Sequence, residues 1–326
     1  MSENLLSPNT HLLELARSGQ IRFVDRLSER SRTLVEKLYP IPVMVFGLMA
    51  PILAAFCATP LFIPQIIASG GATPTELTLL PDANLNMAIL LVVSFAPIYL
   101  LVWGWLFFFE RRHLWTAGME GPGAIGKYVR GIVIGLVMFS LSVGIFATFG
   151  FATVEAGSSQ QQGWAAIGGV IVVLIGWVVQ GAGEEVLTRG FLLPIISRRY
   201  GALAGILLSS GVFMALHLLN PNLSPIALLN LFLFGVFASL YALYEGGLWG
   251  VFAIHSLWNW AQGNVYGFEV SGGEVNTATL FNLQEVGPDW LTGGAFGPEG
   301  GLAVTLVLGV SCVLVWVAHR RRASRT

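Results

Sequence analysis

Of the 326 residues in this chain, 55% are hydrophobic and only 11% are charged, with a formal net charge of −1 at pH 7. Soluble domains carry roughly 25% charged residues, so the composition excludes an ordinary soluble domain and points to the membrane class. The net charge is silent about partners, because in a membrane protein the information lies in which side each charge occupies.

In chain order, residues 1–40 form a first unit. Between about 10 and 38, Leu12, Leu13, Ala16, Phe23, Val24, Leu27, Leu34, Val35 and Leu38 fall at helical spacing, with Arg and Glu between them. This reads as a basic amphipathic segment, either lying on the cytoplasmic leaflet or packed on cytoplasmic loops. The span 41–319 reads as a transmembrane helical domain. A helix needs ~20 apolar residues to cross a ~30 Å hydrocarbon core. Eight windows meet that need, at about 41–66, 86–109, 131–154, 164–197, 201–219, 225–244, 247–263 and 301–319. The fourth is longer than a bilayer requires and is expected to run past the interface or bend near Pro194. The seventh is short and contains Gly250. The first begins only near residue 41, so no signal peptide is expected. Cys57 and Cys312 lie in the first and last windows and read as small packing residues. The expected fold class is therefore all-α, a polytopic membrane protein with about eight transmembrane helices.

Charge placement agrees. Of the 17 Lys and Arg, Arg17, Arg22, Arg26, Arg30, Arg32 and Lys37 precede the first window. Arg111, Arg112, Lys127 and Arg130 lie in the second connection, Arg198 and Arg199 in the fourth, and Arg320, Arg321, Arg322 and Arg325 in the tail. The odd-numbered connections carry none, so the positive-inside rule places both termini in the cytoplasm and makes 320–326 a basic cytoplasmic tail. The seventh connection, 264–300, is a long external loop with Glu269, Glu274, Glu285, Asp289 and Glu299, and with Phe281, Trp290 and Phe296. Loops of this length are often lids or binding loops; a floppy loop is the plain alternative. No internal repeat and no nucleotide-binding glycine pattern stand out. Membrane lipids are the expected surroundings, and no nucleic-acid partner is expected.

A charge at mid-bilayer costs ~2.5–3.5 kcal/mol even on lenient insertion scales, so ionisable residues inside the windows need a reason. Glu184, Glu185 and Arg189 lie in the fourth window, His217 in the fifth and His255 in the seventh. Glu185 and Arg189 are i,i+4 and pair along one helix face, while Glu184 points about 100° away. Phe213 and His217 share an i,i+4 spacing, and so do His255 and Asn259. Read from chemistry alone, the set suits hydrolysis. A carboxylate in a poorly solvated site accepts a proton from water near neutral pH, and imidazole and amide groups stabilise an oxyanion. Glu184, His217 and His255 would equally serve as ligands for a catalytic zinc, although no HExxH signature is present. Taken singly, the Glu185–Arg189 pair reads as helix stabilisation and Phe213 as packing.

These residues carry a resemblance. GEEVLTR, FMALH and HSLWN reproduce, in order, the EExxxR, FxxxH and HxxxN motifs of the CPBP family of intramembrane proteases, which includes the Rce1-type CAAX prenyl proteases and abortive-infection-like bacterial proteins. The likeness covers about 165–262, with looser support from RRHLWTAGM at 111–119. It implies hydrolysis of a peptide bond in a membrane-associated protein or peptide, which would be lipid-anchored if the relatives that trim prenylated C-termini are the guide. It further implies Glu184 as the base that activates water, assisted by His217, with His255 and Asn259 at the oxyanion. Glu185 and Arg189 would be structural or orienting. Both metal-dependent and metal-independent glutamate mechanisms have been described for this family, so zinc stays open. A multi-pass protein of a prokaryotic cell membrane is expected.

Two other classes compete. Intramembrane Glu and His also mark proton-coupled transporters, against which stands the lack of inverted repeats. A catalytically inactive immunity or scaffold protein would share the fold. A rhomboid-like serine protease is disfavoured because Ser209-Ser210-Gly211 lacks the first glycine of a GxSG motif.

Overall fold

The computed structural model describes residues 10–17, 24–63, 80–155 and 161–323, together with Leu6, Ile21, Arg22 and Ile67. Phe23, Arg325 and much of the first connection lie outside that set. The described chain is almost wholly helical. Two short helices, α1 (His11–Arg17) and α2 (Glu29–Leu38), precede α3 (Pro40–Ala58), α4 (Ala83–Glu110), α5 (Ala124–Ala147) and α6 (Ile167–Glu185). A π-helical stretch, Val186–Leu192, joins α6 to α7 (Leu193–Tyr200). Then come α8 (Ala202–Leu216), α9 (Pro225–Glu245) and α10 (Trp249–Trp260), which continues into a second π-helical stretch, Ala261–Tyr266. A four-residue α11 (Asp289–Thr292) and α12 (Leu302–Ala323) complete the chain.

Local chemistry sets several of these ends. Asp82 accepts the Leu85 N–H at 2.8 Å to cap α4. Ser224 does the same for the Ala227 N–H at 3.1 Å, with Pro225 in the first turn of α9, a position that needs no donor. Six described helical stretches are long and apolar enough to cross a membrane. Apolar side chains such as Leu100, Phe108, Val133, Ile175 and Leu314 point outward from them, as a lipid-facing surface requires. The protein is an integral membrane protein of all-α type.

The windows at 201–219 and 247–263 do become helices, but short ones. α8 has 15 residues, and α10 has 12 before its π-helical extension. α10 is instead enclosed by protein, with every residue from Gly250 to Asn259 buried. It packs between α5 and α6, and glycines permit the approach. A Cβ on Gly135 of α5 would lie 2.6 Å from the Ile254 carbonyl oxygen, and one on Gly181 of α6 would lie 2.9 Å from the Ser256 nitrogen. Close backbone contact through small residues is the usual device of helix packing in membranes. Here it brackets His255.

One sequence expectation needs correction, and two details go beyond the sequence reading. The third window ends as helix at Ala147, and Ala152–Val154 is a strand (β1) paired antiparallel with β2, Leu283–Glu285. Hydropathy does not distinguish apolar helix from apolar strand. The long fourth helix changes its winding at Val186–Leu192, ahead of Pro194, which sits in the first turn of α7. Arg112 of the second connection is buried beside Glu110 at 3.0 Å and donates to the Thr116 hydroxyl and carbonyl. Tyr39 joins this cluster by donating to Glu110 at 3.0 Å.

The N-terminal segment touches the helical domain at both of its helices. Leu12, Leu13 and Ala16 of α1 are buried against α7, α9 and the 114–117 turn. α2 has no buried residue, and Leu34 and Leu38 are exposed. The 264–300 loop is tied down. Asn264 accepts from Trp177 Nε1 and donates to Thr277 and Ala278, and the Ala278 N–H donates to Asn84. Phe268 and Phe296 are buried, whereas Phe281 and Trp290 remain exposed. Glu285 of β2 has a buried Oε1 with no hydrogen-bond partner. Burial, and then the nearby Glu269, push its carboxyl up to about 8.

Candidate active site

Glu184 and Glu185 close α6, and the next seven residues, all buried, wind as a π-helix. Such segments are rare and concentrate at functional sites. Arg189 is fully buried, and its Nη1 donates to Glu185 Oε1 at 2.8 Å and to the Thr188 hydroxyl at 2.7 Å. The guanidinium lies over the Phe213 ring, 4.6 Å from its centroid. Phe213 therefore holds a buried cation by its π face as well as filling space.

α10 brings His255 to the same carboxylate. His255 Nδ1 lies 2.8 Å from Glu185 Oε1. An ionised carboxylate only accepts, so Nδ1 carries the proton. One oxygen of Glu185 thus binds both Arg189 and His255, which joins the first and third motifs. The opposite ring nitrogen, Nε2, faces Glu184 Oε2 at 3.7 Å, longer than a hydrogen bond. That Glu184 oxygen is buried and has no hydrogen-bond partner.

His217 follows the last residue of α8. Its Nδ1 donates to the Phe213 carbonyl at 2.8 Å, which leaves Nε2 as the acceptor of the neutral ring. The Phe213 ring lies 4.8 Å from the His217 ring and 5.9 Å from the His255 ring, centroid to centroid. Asn259 donates its amide to Gln180 Oε1 at 2.9 Å, and both side chains are buried.

Glu184, His217, His255, Asn259 and Gln180 line one cavity of about 270 Å³, to which the 264–300 loop contributes Val270, Ser271 and Glu299. Phe213 lines it as well, while Glu185 and Arg189 stand behind these groups. The three motifs are thus gathered around a single space. Gln180 escaped the sequence reading, although an uncharged amide one turn before Glu184 in an apolar window was the signal. Glu299 was counted only as one acid among several in the loop.

The trio considered for zinc does not assemble as a ligand set. Among the described residues, no three His, Cys, Asp or Glu side chains are grouped to hold one ion. Both histidines commit Nδ1 to protein acceptors, which leaves Nε2 of each as the free ring nitrogen, and Glu184 Oε2 and His255 Nε2 stand 3.7 Å apart. No step below is routed through a metal.

Residues 166–261 match the family model described as type II CAAX prenyl endopeptidase Rce1-like. No curated protein and no solved structure matches the chain. The matched span starts where α6 is about to begin and ends just past α10, so it contains all three motifs and the helices that carry them. Over this core, the chain is similar to the CAAX protease family whose motifs it resembles.

Proposed function

We propose that the protein is an intramembrane endopeptidase that hydrolyses a peptide bond of a membrane-associated protein or peptide, with Glu184 as the base. The observation that carries this reading is the shared Glu185 oxygen. It fixes His255 by Nδ1 and turns Nε2 toward Glu184 in the cavity wall. A base beside an imidazole that a buried ion pair holds in place is a catalytic constellation, with nucleophile generation and proton handling close together.

In this mechanism Glu184 takes a proton from water as the oxygen attacks the scissile carbonyl. His217 assists with Nε2, which is an acceptor because Nδ1 is engaged by the Phe213 carbonyl. The developing oxyanion needs donors. Asn259 retains one amide proton beyond the bond to Gln180, and Gln180 has its own amide N–H. His255 donates from Nε2 only as imidazolium, since Nδ1 already carries a proton. It therefore contributes once it holds a proton from the attacking water, relayed by Glu184. Collapse of the tetrahedral species returns that proton to the leaving amine.

The test is cleavage of a peptide library by purified protein. Glu184→Gln, His217→Ala and His255→Ala are each expected to lose roughly two or more orders of magnitude in turnover, the usual size of acid–base and oxyanion terms. Near-normal cleavage by Glu184→Gln would overturn the mechanism.

A further inference from the structure

The cavity wall holds a second carboxylate that the hydrolysis above does not use. Glu299 lines the same space, near Ser271, Asn220 and Asn230. Its Oε2 accepts both the backbone N–H and the hydroxyl of Ser271, each at 2.8 Å. That clamp fixes the carboxylate and leaves Oε1 without a partner among the described residues.

Of the neighbouring amides, Asn230 has both protons committed and Asn220 one of its two. Asn220 donates Nδ2 to the Ser271 carbonyl at 2.9 Å. Asn230 donates to the Glu299 and Gly301 carbonyls at 2.8 and 2.9 Å, and its own oxygen accepts from the Thr305 hydroxyl. What remains for a ligand at this end of the cavity is Glu299 Oε1 and Asn220 Oδ1 as acceptors, with one Asn220 N–H. No Lys or Arg lines the cavity, and among the described residues Glu299 makes no ion pair. The entire 264–300 loop contains no Lys or Arg either. An uncompensated carboxylate in a partly desolvated wall is complementary to a cation with several N–H donors.

We propose that Glu299 is a specificity residue, receiving an ammonium or guanidinium group of the peptide substrate. This rests on the protease reading and names its substrate class: peptides that place a Lys or Arg side chain, or a free amino terminus, beside the scissile segment. Glu274 and Asp289 of the same loop add negative charge that steers such peptides.

Two pools of fluorescent hexapeptides test this, identical except that one stepped position is Lys in the first pool and norleucine in the second. Each pool is prepared with a free and with an acetylated amino terminus, which separates side-chain from terminal recognition. Binding is read on full-length Glu184→Gln protein, and cleavage on the unsubstituted protein. The cationic peptides are expected to bind about tenfold tighter, the size of a hydrogen bond to a charged group. Adding Glu299→Gln, which keeps an oxygen for Ser271 but removes the charge, should bring the ratio close to one, and Glu299→Asp should retain part of it. Equal binding of cationic and neutral peptides, or a preference that survives Glu299→Gln, overturns the proposal. Charge-selective binding without any cleavage would count against hydrolysis and leave this site standing.

Discussion

Asn259 and Gln180 are joined amide to amide across the α6–α10 contact, with the Asn259 nitrogen donating to the Gln180 oxygen at 2.9 Å. That single bond decides which way the Asn259 amide points, and hence whether its second proton faces the cavity. Gln180→Ala is expected to lower kcat by about tenfold or more, approaching the ~10²–10³ loss typical of removing a direct oxyanion donor, with KM little changed. Gln180→Glu keeps an acceptor for Asn259 but removes the extra N–H, and should recover part of the loss. An unaltered kcat in Gln180→Ala would remove the positioning role.

Arg189 and Glu185 are both wholly buried at 2.8 Å. Removing one partner of such a pair costs ~3–5 kcal/mol, because the other charge is stranded in a low-dielectric site. Arg189→Ala should therefore reduce yield and thermal stability in detergent, as well as activity. Glu185→Gln combined with Arg189→Met should recover stability without recovering turnover, since His255 would still lack its charged anchor. A monodisperse Arg189→Ala protein as stable as the parent would refute this.

The raised carboxyl of Glu285 makes the loop sensitive to pH. A folded value of about 8 against an ordinary 4.5 means that the folded state favours the protonated form. Its contribution to stability is complete below about 4.5 and is lost as pH rises through about 8. Thermal stability measured across this window should fall more steeply for the parent than for Glu285→Gln. Identical slopes would show that Glu285 is solvated in the folded loop.

The arrangement of basic residues predicts opposite sides for the 264–300 loop and the turn before α5. Glu274 and Gly121 are both exposed. In a background lacking Cys57 and Cys312, Glu274→Cys should react with an impermeant maleimide in intact cells, and Gly121→Cys only after permeabilisation. Labelling of both positions in intact cells would overturn the assignment of sides.

The chemistry-bearing residues stood out in the sequence because charge in a hydrocarbon window is costly and therefore rare. Glu184, Glu185, Arg189, His217 and His255 were conspicuous for that reason, and Asn259 followed from its spacing to His255. What spacing along one helix cannot convey is a contact between helices. The pairing of Glu185 with His255 arises only because glycines at 135 and 181 let α10 lie against both neighbours. Gln180 and Asn230 carry no charge and so attracted no attention, although both are buried amides with fixed partners. The burial of Arg112 is equally invisible in the sequence: it lies next to a helix end, yet Glu110 and Thr116 hold it inside. The shortness of α8 was hidden because Leu218 and Leu219, apolar residues beyond the helix, extended the window.

The wide turns at Val186–Leu192 and Ala261–Tyr266 bear on how freely this core can change length. A π-helical turn amounts to one residue more than an α-helix would hold in the same rise. Removing that extra residue would let the backbone relax into regular winding while the turns on either side keep their phase. A deletion within the regular turns of α6 or α10 has no such slack, and everything on one side of it would rotate by about 100° relative to the other. Single-residue deletions in the two π-helical stretches should therefore be tolerated better than deletions in the regular helix beside them, and natural variation in the length of this core should collect at these wide turns and in the connections.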